Sequence, residues 1–161
     1  MVAGPLAYHS LIFILMLQSR LFTTTAGSAL WAPEIPGLMM RLQGHVSLDQ
    51  YQLLLNHGLQ MYTGHRPPEA VAHWIVDLRQ LSTLHPGAHH WMAHDWHPRA
   101  HAAGLRHLRF VEADSKPDSI AQQLLGALVQ LTTDPTLGMS RHDTLEAAIQ
   151  QARAASTPVV D

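Results

Sequence analysis

The sequence predicts a single α/β domain, in which a mixed β-sheet carries helices packed on it. Two apolar segments, residues 28–31 and 38–42, flank a Pro/Gly turn and predict an N-terminal antiparallel hairpin. Further along the chain, segments with helical spacing alternate with short apolar runs, which is typical of βαβ units. We expect right-handed crossovers between the parallel neighbours.

Four further segments have the composition of strands. Residues 21–25 are rich in β-branched and aromatic side chains and predict an edge strand ahead of the hairpin. Residues 71–78 are apolar nearly throughout, which predicts a central strand covered on both faces. Residues 105–111 and 137–141 predict two shorter strands later in the chain.

The helices are predicted from the signals that start and stop them. Ser47 and Gln50 can form a capping box, and residues 143–146 can form another before the last helix. Pro86 suits a first helical position, whereas Pro98 should kink or divide the helix that contains it. Two further signals are a helix opening at residues 115–118 and a left-handed terminator at Gly104.

The overall composition limits the classes of function. With 161 residues, of which 47% are hydrophobic and 14% charged, the chain can form an ordinary packed core. A net charge of −2 provides no field that would attract nucleic acid, so a nucleic-acid partner is not expected. The absence of cysteine excludes disulfides, thiol catalysis and Cys-ligated zinc, and it suits a cytoplasmic protein.

The ends of the chain are expected to lie outside the domain. Residues 1–19 are interpreted as an N-terminal extension, with Met16 as an alternative natural start. The apolar run at residues 11–17 is far shorter than the ~20 residues of a membrane helix, and no positive charge precedes it, so neither a membrane span nor a secretory signal is expected. The domain is assigned to residues 20–155 and a tail to residues 156–161.

Five segments carry a resemblance to a known family: residues 74–77, 91–92, 96–100, 103–106 and 143–148. In these segments the chain resembles the SpoIIAA-like group of STAS/SEC14-type bacterial domains. The resemblance covers roughly residues 28–154, and it implies a small sheet with helices packed on it. Better-known members offer a phosphorylatable serine where this chain reads His85-Pro86-Gly87, so we expect no serine switch of that kind.

A ligand or partner site is predicted on the segment that follows the central strand. Asp77 is predicted to lie at a strand's carboxyl end, where α/β sheets tend to hold functional groups, and His85 adjoins a helix start that could bind an anion. Tryptophans between sheet and helix could line an apolar pocket, although they could equally fill the core. The predicted site residues are Asp77, Arg79, Ser82, Thr83, His85, Trp91 and Trp96.

A histidine stripe supports an alternative hypothesis. His90, His94, His97 and His101 are spaced four, three and four residues apart, so they would share one side of a straight helix. Imidazoles one turn apart can share a metal ion, or together they can respond to mild acidification. The simpler interpretation is a solvated helix face opposite the apolar stripe.

No catalytic signature accompanies these features: the chain contains no nucleophile elbow, phosphate-binding loop or zinc-protease motif. The sequence therefore favours a non-enzymatic, cytoplasmic binding or regulatory module with no cofactor. Its partner would be another protein or a small apolar ligand, and a homodimer is one assembly left open. The alternative is a metal-binding or metal- and pH-responsive protein that uses the histidine stripe.

Overall fold

The computed structural model describes residues 21–65, 72–112, 119–131 and 138–156. They form a six-stranded mixed sheet in which the spatial order of the strands is their order in the chain. The pairs β1–β2 and β2–β3 are antiparallel, and the strands from β3 to β6 run parallel to one another. The predicted α/β class and mixed sheet are confirmed. The strands are β1 (Leu21–Thr24), β2 (Gly27–Ala32), β3 (Gly37–Val46), β4 (His73–Leu84), β5 (His107–Val111) and β6 (Gly138–His142).

The central strand is longer than the sequence indicated. The ladder between β4 and β5 ends at the pair Asp77–Val111, yet β4 continues to Leu84. Beyond that point β4 pairs only with β3, ending at the pair Val46–Leu84. Asp77 therefore lies in the middle of β4 and not at its carboxyl end, which corrects the reason for which it was chosen.

The helices follow most of the predicted start signals. The capping box is confirmed: the Gln50 backbone N–H donates to Ser47 Oγ at 3.2 Å, and the Ser47 N–H donates to Gln50 Oε1 at 3.0 Å. The last helix is capped by Thr144, whose Oγ1 accepts from the Ala147 N–H at 3.1 Å. The helical segments are α1 (Leu48–His65), α2 (Gly87–Trp91), α3 (His97–Ala102), α4 (Ile120–Leu131) and α5 (Leu145–Ser156).

Three other sequence predictions concern segment ends. Gly104 has a φ of 102°, so the left-handed terminator after α3 is confirmed. The helix opening expected at residues 115–118 lies outside the described residues, and the described part of α4 begins at Ile120. The N-terminal extension lies outside them as well, and so does the tail apart from Ser156, which ends α5.

A π-helical turn, Met92–Trp96, joins α2 to α3 and divides this helix as the proline predicted. The His97 backbone N–H donates to Met92 O, five residues back. Pro98 has no N–H for the preceding turn, and the wider turn accommodates that loss. One extra residue per turn also rotates everything after it by about 100° relative to a straight α-helix.

The two sheet faces are covered unequally, and topology explains why. Because each parallel crossover advances in the same direction, right-handed connections place all the connecting helices on one face. Helices α1 to α4 pack there, on the "aromatic face" formed by Trp74, Val76, Leu108 and Phe110. The opposite "polar face" carries His73, Ile75, Asp77, Arg109 and Val111, and α5 packs on it through Ala148 and Ala152.

Tryptophans fill the core on the aromatic face. The Trp74 and Trp96 rings meet edge to face, with centroids 5.0 Å apart, and neither is exposed. Trp96 Nε1 donates to the Leu55 carbonyl of α1 at 3.2 Å. Gly58 brings α1 close, because a Cβ at that position would lie 2.8 Å from Trp74 Cη2. Of the two expectations for Trp96, the core is the one the structure shows.

None of the helices in the described part of the chain is long and apolar enough to cross a membrane.

Candidate functional site

The polar face gathers charged and imidazole side chains that the strand alternation points in one direction. Successive side chains of a strand alternate between faces, so alternate residues of β4, β5 and β6 share the face on which α5 packs. The pairs His73–His107, Ile75–Arg109 and Arg109–Ser140 fix their relative positions. This face therefore contains two polar clusters, one around Asp77 and one around Arg109.

In the first cluster, Asp77 is a buried carboxylate with two arginine partners. Arg79 donates from Nε and from Nη2 to the two carboxylate oxygens, each at 2.9 Å. Arg41 Nε lies 3.5 Å from Asp77 Oδ2. Burial opposes ionisation, but the hydrogen bonds from Arg79 and the charges of both arginines hold the pKa of Asp77 below its ordinary value. Asp77 is therefore a committed ion-pair partner, and a poor general acid or base at neutral pH.

A cleft beside this ion pair opens where α5 no longer covers the sheet. It encloses about 210 Å³. Leu21, Leu30, Met39 and Leu145 give it apolar walls, while Ser28, Arg41 and Asp77 provide its polar groups. Leu21 and Leu30 are 49% and 38% exposed, although large apolar side chains are usually buried.

In the second cluster, Arg109 is buried beside three histidines. Its side chain donates from Nη1 to His73 Nδ1 at 2.8 Å, so that nitrogen of His73 must be the acceptor. The His73 and His107 rings lie 5.4 Å apart, and Ser140 Oγ lies 2.9 Å from His142 Nε2.

The histidines of this cluster are neutral at pH 7. Burial, followed by the charge of Arg109 and by repulsion from His107 in its protonated form, lowers the pKa of His73 to about 4. Burial and Arg109 also lower the pKa of His107, and the same two causes lower that of His142 against the attraction of Asp143. Arg109 is consequently the only charged member of this cluster.

The structure separates the residues predicted for the ligand site. Only Asp77 and Arg79 come together. Thr83 Oγ1 lies 2.7 Å from His45 Nδ1 on the part of β4 that extends beyond β5, and exposed Ser82 precedes it. His85 Nδ1 accepts the Gly87 backbone N–H at 2.9 Å, which makes it a turn-stabilising group with no bound anion required.

The two tryptophans of that prediction pack against α1. Trp96 is fully buried, so it lines no surface pocket. Trp91 is half-buried, and its ring meets the edge of Tyr51 with centroids 5.9 Å apart. They belong to the aromatic face, on the opposite side of the sheet from Asp77.

The histidine stripe is broken by the π-helical turn. His90 and His94 are exposed, with ring centroids 4.2 Å apart, as the solvated-face interpretation predicts. His97 is 4% exposed and His101 is half-buried, so the expectation that all four rings face water is wrong. The wide turn before Pro98 rotates His97 toward the core. In the described ranges, no group of three or more His, Cys, Asp or Glu side chains could hold a metal ion.

Sequence reasoning missed the Arg109 cluster. Its signal was the spacing of the polar residues: His73 and Asp77 are four residues apart, and His107 and Arg109 are two apart, so each pair falls on one face of its strand. Reading the first segment as uniformly apolar hid the alternation. Neighbouring parallel strands with polar residues in register would have predicted a polar sheet face.

No protein-family model matches the chain, and no curated protein matches it either.

Proposed function

We propose that this chain is a non-enzymatic binding or regulatory module of the SpoIIAA-like, STAS/SEC14 type, with the bacterial, cytoplasmic setting expected from its sequence. Its ligand would be a small apolar molecule with one hydrogen-bonding group. The observation that carries this proposal is the cleft on the polar face, where exposed Leu21 and Leu30 stand beside the Arg41–Asp77 ion pair.

The cleft's size and lining favour a small ligand. Sites for drug-sized molecules usually enclose about 300–1,000 Å³, and they combine apolar walls with a few polar groups. This cleft has the same combination in about 210 Å³. The apolar part of the ligand would cover Leu21, Leu30 and Met39, while Arg41, whose side chain is 45% exposed, could reach its polar group.

The ion pairs that Asp77 forms with Arg79 and Arg41 favour a binding function over a catalytic one. A general base needs a carboxylate that can gain a proton near working pH, and the arginines oppose this at Asp77. Ser28 is the hydroxyl in the cleft, and no histidine stands among the described residues that line it. A nucleophile without a neighbouring base is weak.

The proposal is tested by titrating the full chain with Nile red, a neutral apolar fluorophore, and competing it with short-chain alcohols. Leu30→Glu puts a charge in the apolar wall, which should weaken probe binding about tenfold or more because the carboxylate must be desolvated. Leu53→Glu is the matched control, since Leu53 is 54% exposed on α1, away from the cleft.

Equal weakening in both variants would contradict the proposed site. A turnover activity that disappears in Asp77→Asn or His85→Ala would overturn the non-enzymatic assignment. If no small apolar probe binds, and if a protein partner is found whose binding is lost in Leu30→Glu, then the cleft binds a protein and the small-ligand proposal is wrong.

A further inference from the structure

Arg109 is a buried cation that lacks a counter-ion within the described part of the chain. The residue is 6% exposed and lies on β5, between two parallel neighbours. Its one side-chain hydrogen bond to a described group goes to His73, and none of the described carboxylates forms an ion pair with it. Burying a charge is costly unless it is paired.

The same molecule shows what usually occupies this part of a guanidinium. Arg79 places its Nε and Nη2 against the two oxygens of Asp77, a side-on, bidentate arrangement. In Arg109 the equivalent Nε is buried and has no hydrogen-bond partner. His73 holds only Nη1, at the other end of the group. The Nε/Nη2 edge of Arg109 thus has the geometry to bind two coplanar oxygens, and no described side chain supplies them.

Among the described residues, the surroundings of Arg109 provide hydrogen-bonding groups and no ion-pair partner. His73 faces it from β4, His107 from its own strand, and Ser140 and His142 from β6. From α5 this face receives apolar side chains, the buried Ala148 and Ala152 and the partly buried Leu145 and Ile149. The cluster therefore carries a single positive charge with several neutral hydrogen-bonding groups around it.

Access to the cluster is from one edge of the sheet. β6 is the last strand in the order, and its first residue, Gly138, is exposed. A Cβ at Gly138 would lie 2.9 Å from His107 Nδ1, so the glycine lets that ring lie close against β6. His107 and Ser140 are half-buried, whereas His73 and Arg109 lie deeper. A small molecule fits this geometry better than a protein surface would.

We propose that the Nε/Nη2 edge of Arg109 binds the carboxylate group of a small organic acid that reaches it from the β6 edge of the sheet, past the half-buried His107 and Ser140. A carboxylate supplies two coplanar oxygens and one negative charge, which match one guanidinium edge and one positive charge. The neutral imidazoles and Ser140 would bind the remainder of the acid. This site is separate from the apolar cleft, which lies toward β1 and β2, and it does not depend on the proposed function.

The test titrates the full, ¹⁵N-labelled chain with sodium acetate at constant ionic strength, using sodium chloride as the balancing salt. The Arg109 Nε–H resonance, assigned by its loss in Arg109→Lys, should shift saturably with acetate and remain still with chloride. In thermal-shift titrations, Arg109→Lys should bind acetate about tenfold or more weakly, because a lysine loses the bidentate contact. Arg99→Lys, an exposed arginine on α3, is the matched control.

A second variant keeps the test independent of the folding of Arg109→Lys. Ser140→Leu should fill the approach from β6 and reduce acetate binding while leaving Arg109 in place. An Arg109 resonance that does not move, or a response equally strong with chloride, would overturn the site. A stronger response to inorganic phosphate than to acetate would overturn the carboxylate assignment. Leu30→Glu should leave the acetate response unchanged, so the failure of either proposal is distinguishable from that of the other.

Discussion

The two faces of the sheet are built from the same strands but differ in the side chains that they bury and in the helices that cover them. In β4, Trp74 and Val76 enter the aromatic face, where helices exclude water, while His73 and Asp77 enter the polar face under a single helix. On the aromatic face the buried side chains need mainly to fit one another closely, whereas on the polar face each buried charge needs a partner. The face with fewer helices is therefore the one that carries both the cleft and the unpaired guanidinium edge.

The largest expected effect is the loss of core packing on the aromatic face. Trp74→Ala should lower the free energy of unfolding by about 3–5 kcal/mol, because it removes a fully buried indole and leaves a cavity against Trp96. Trp91→Ala removes a half-buried ring and should cost clearly less. Urea denaturation of both variants measures the difference. Equal losses would mean that burial does not distinguish the two positions.

On the polar face the expected effect is a dependence of stability on pH. The pKa of His73 is about 4 in the folded chain against 6.5 in the unfolded one, so the unfolded state binds a proton more readily between these values. The free energy of unfolding should therefore fall as the pH drops from about 6.5 to about 4, by at most about 3 kcal/mol from this residue.

His73→Gln should reduce that slope, since a glutamine oxygen can still accept from Arg109 and does not titrate. The lowered pKa values of His107 and His142 keep part of it. His94→Gln, at an exposed position, serves as the control and should not reduce the slope. Denaturation curves at several pH values decide, and an undiminished slope in His73→Gln would contradict the assignment.

A smaller effect separates two helix glycines. Gly58→Ala should destabilise the chain, because a methyl group 2.8 Å from Trp74 Cη2 and 2.9 Å from Met40 Cε overpacks the aromatic face. Overpacking costs about 1–3 kcal/mol, which exceeds the gain of about 1 kcal/mol in helix propensity. A Cβ at Gly126 would meet no described atom within 4 Å outside its own helix backbone. Gly126→Ala should therefore stabilise the chain by about 0.5–1 kcal/mol. Thermal melts that give the same sign for both would refute the close approach of α1.

The sequence predicts individual helices, strands and turns better than it predicts how they pair and pack with one another. The hairpin, the capping box of Ser47 and Gln50, and the Gly104 terminator depend on neighbouring residues, and all three are confirmed. The length of β4 depends on its pairing with β3, which no local pattern encodes. The π-helical turn is a compromise between Pro98 and the packing of Trp96, so only its general position could be expected.

The candidate site was less predictable for the same reason. Asp77 and Arg79 could be paired from their spacing, and they do pair. Arg41 joins them from β3, and His73 meets Arg109 from the next strand, contacts that depend on register between strands. One strand's alternation suggests a polar face, but the register decides which polar groups meet across it.

The serial strand order affects how the chain can be made. Every strand pairs with the strand synthesised just before it, so none has to be inserted between two strands that have already paired. A nascent chain leaving the ribosome can extend the sheet one strand at a time, with each loop closed over a short distance. Of the described segments α5 emerges last and covers the polar face, so the surroundings of Arg109 are completed only after β6 has joined the sheet.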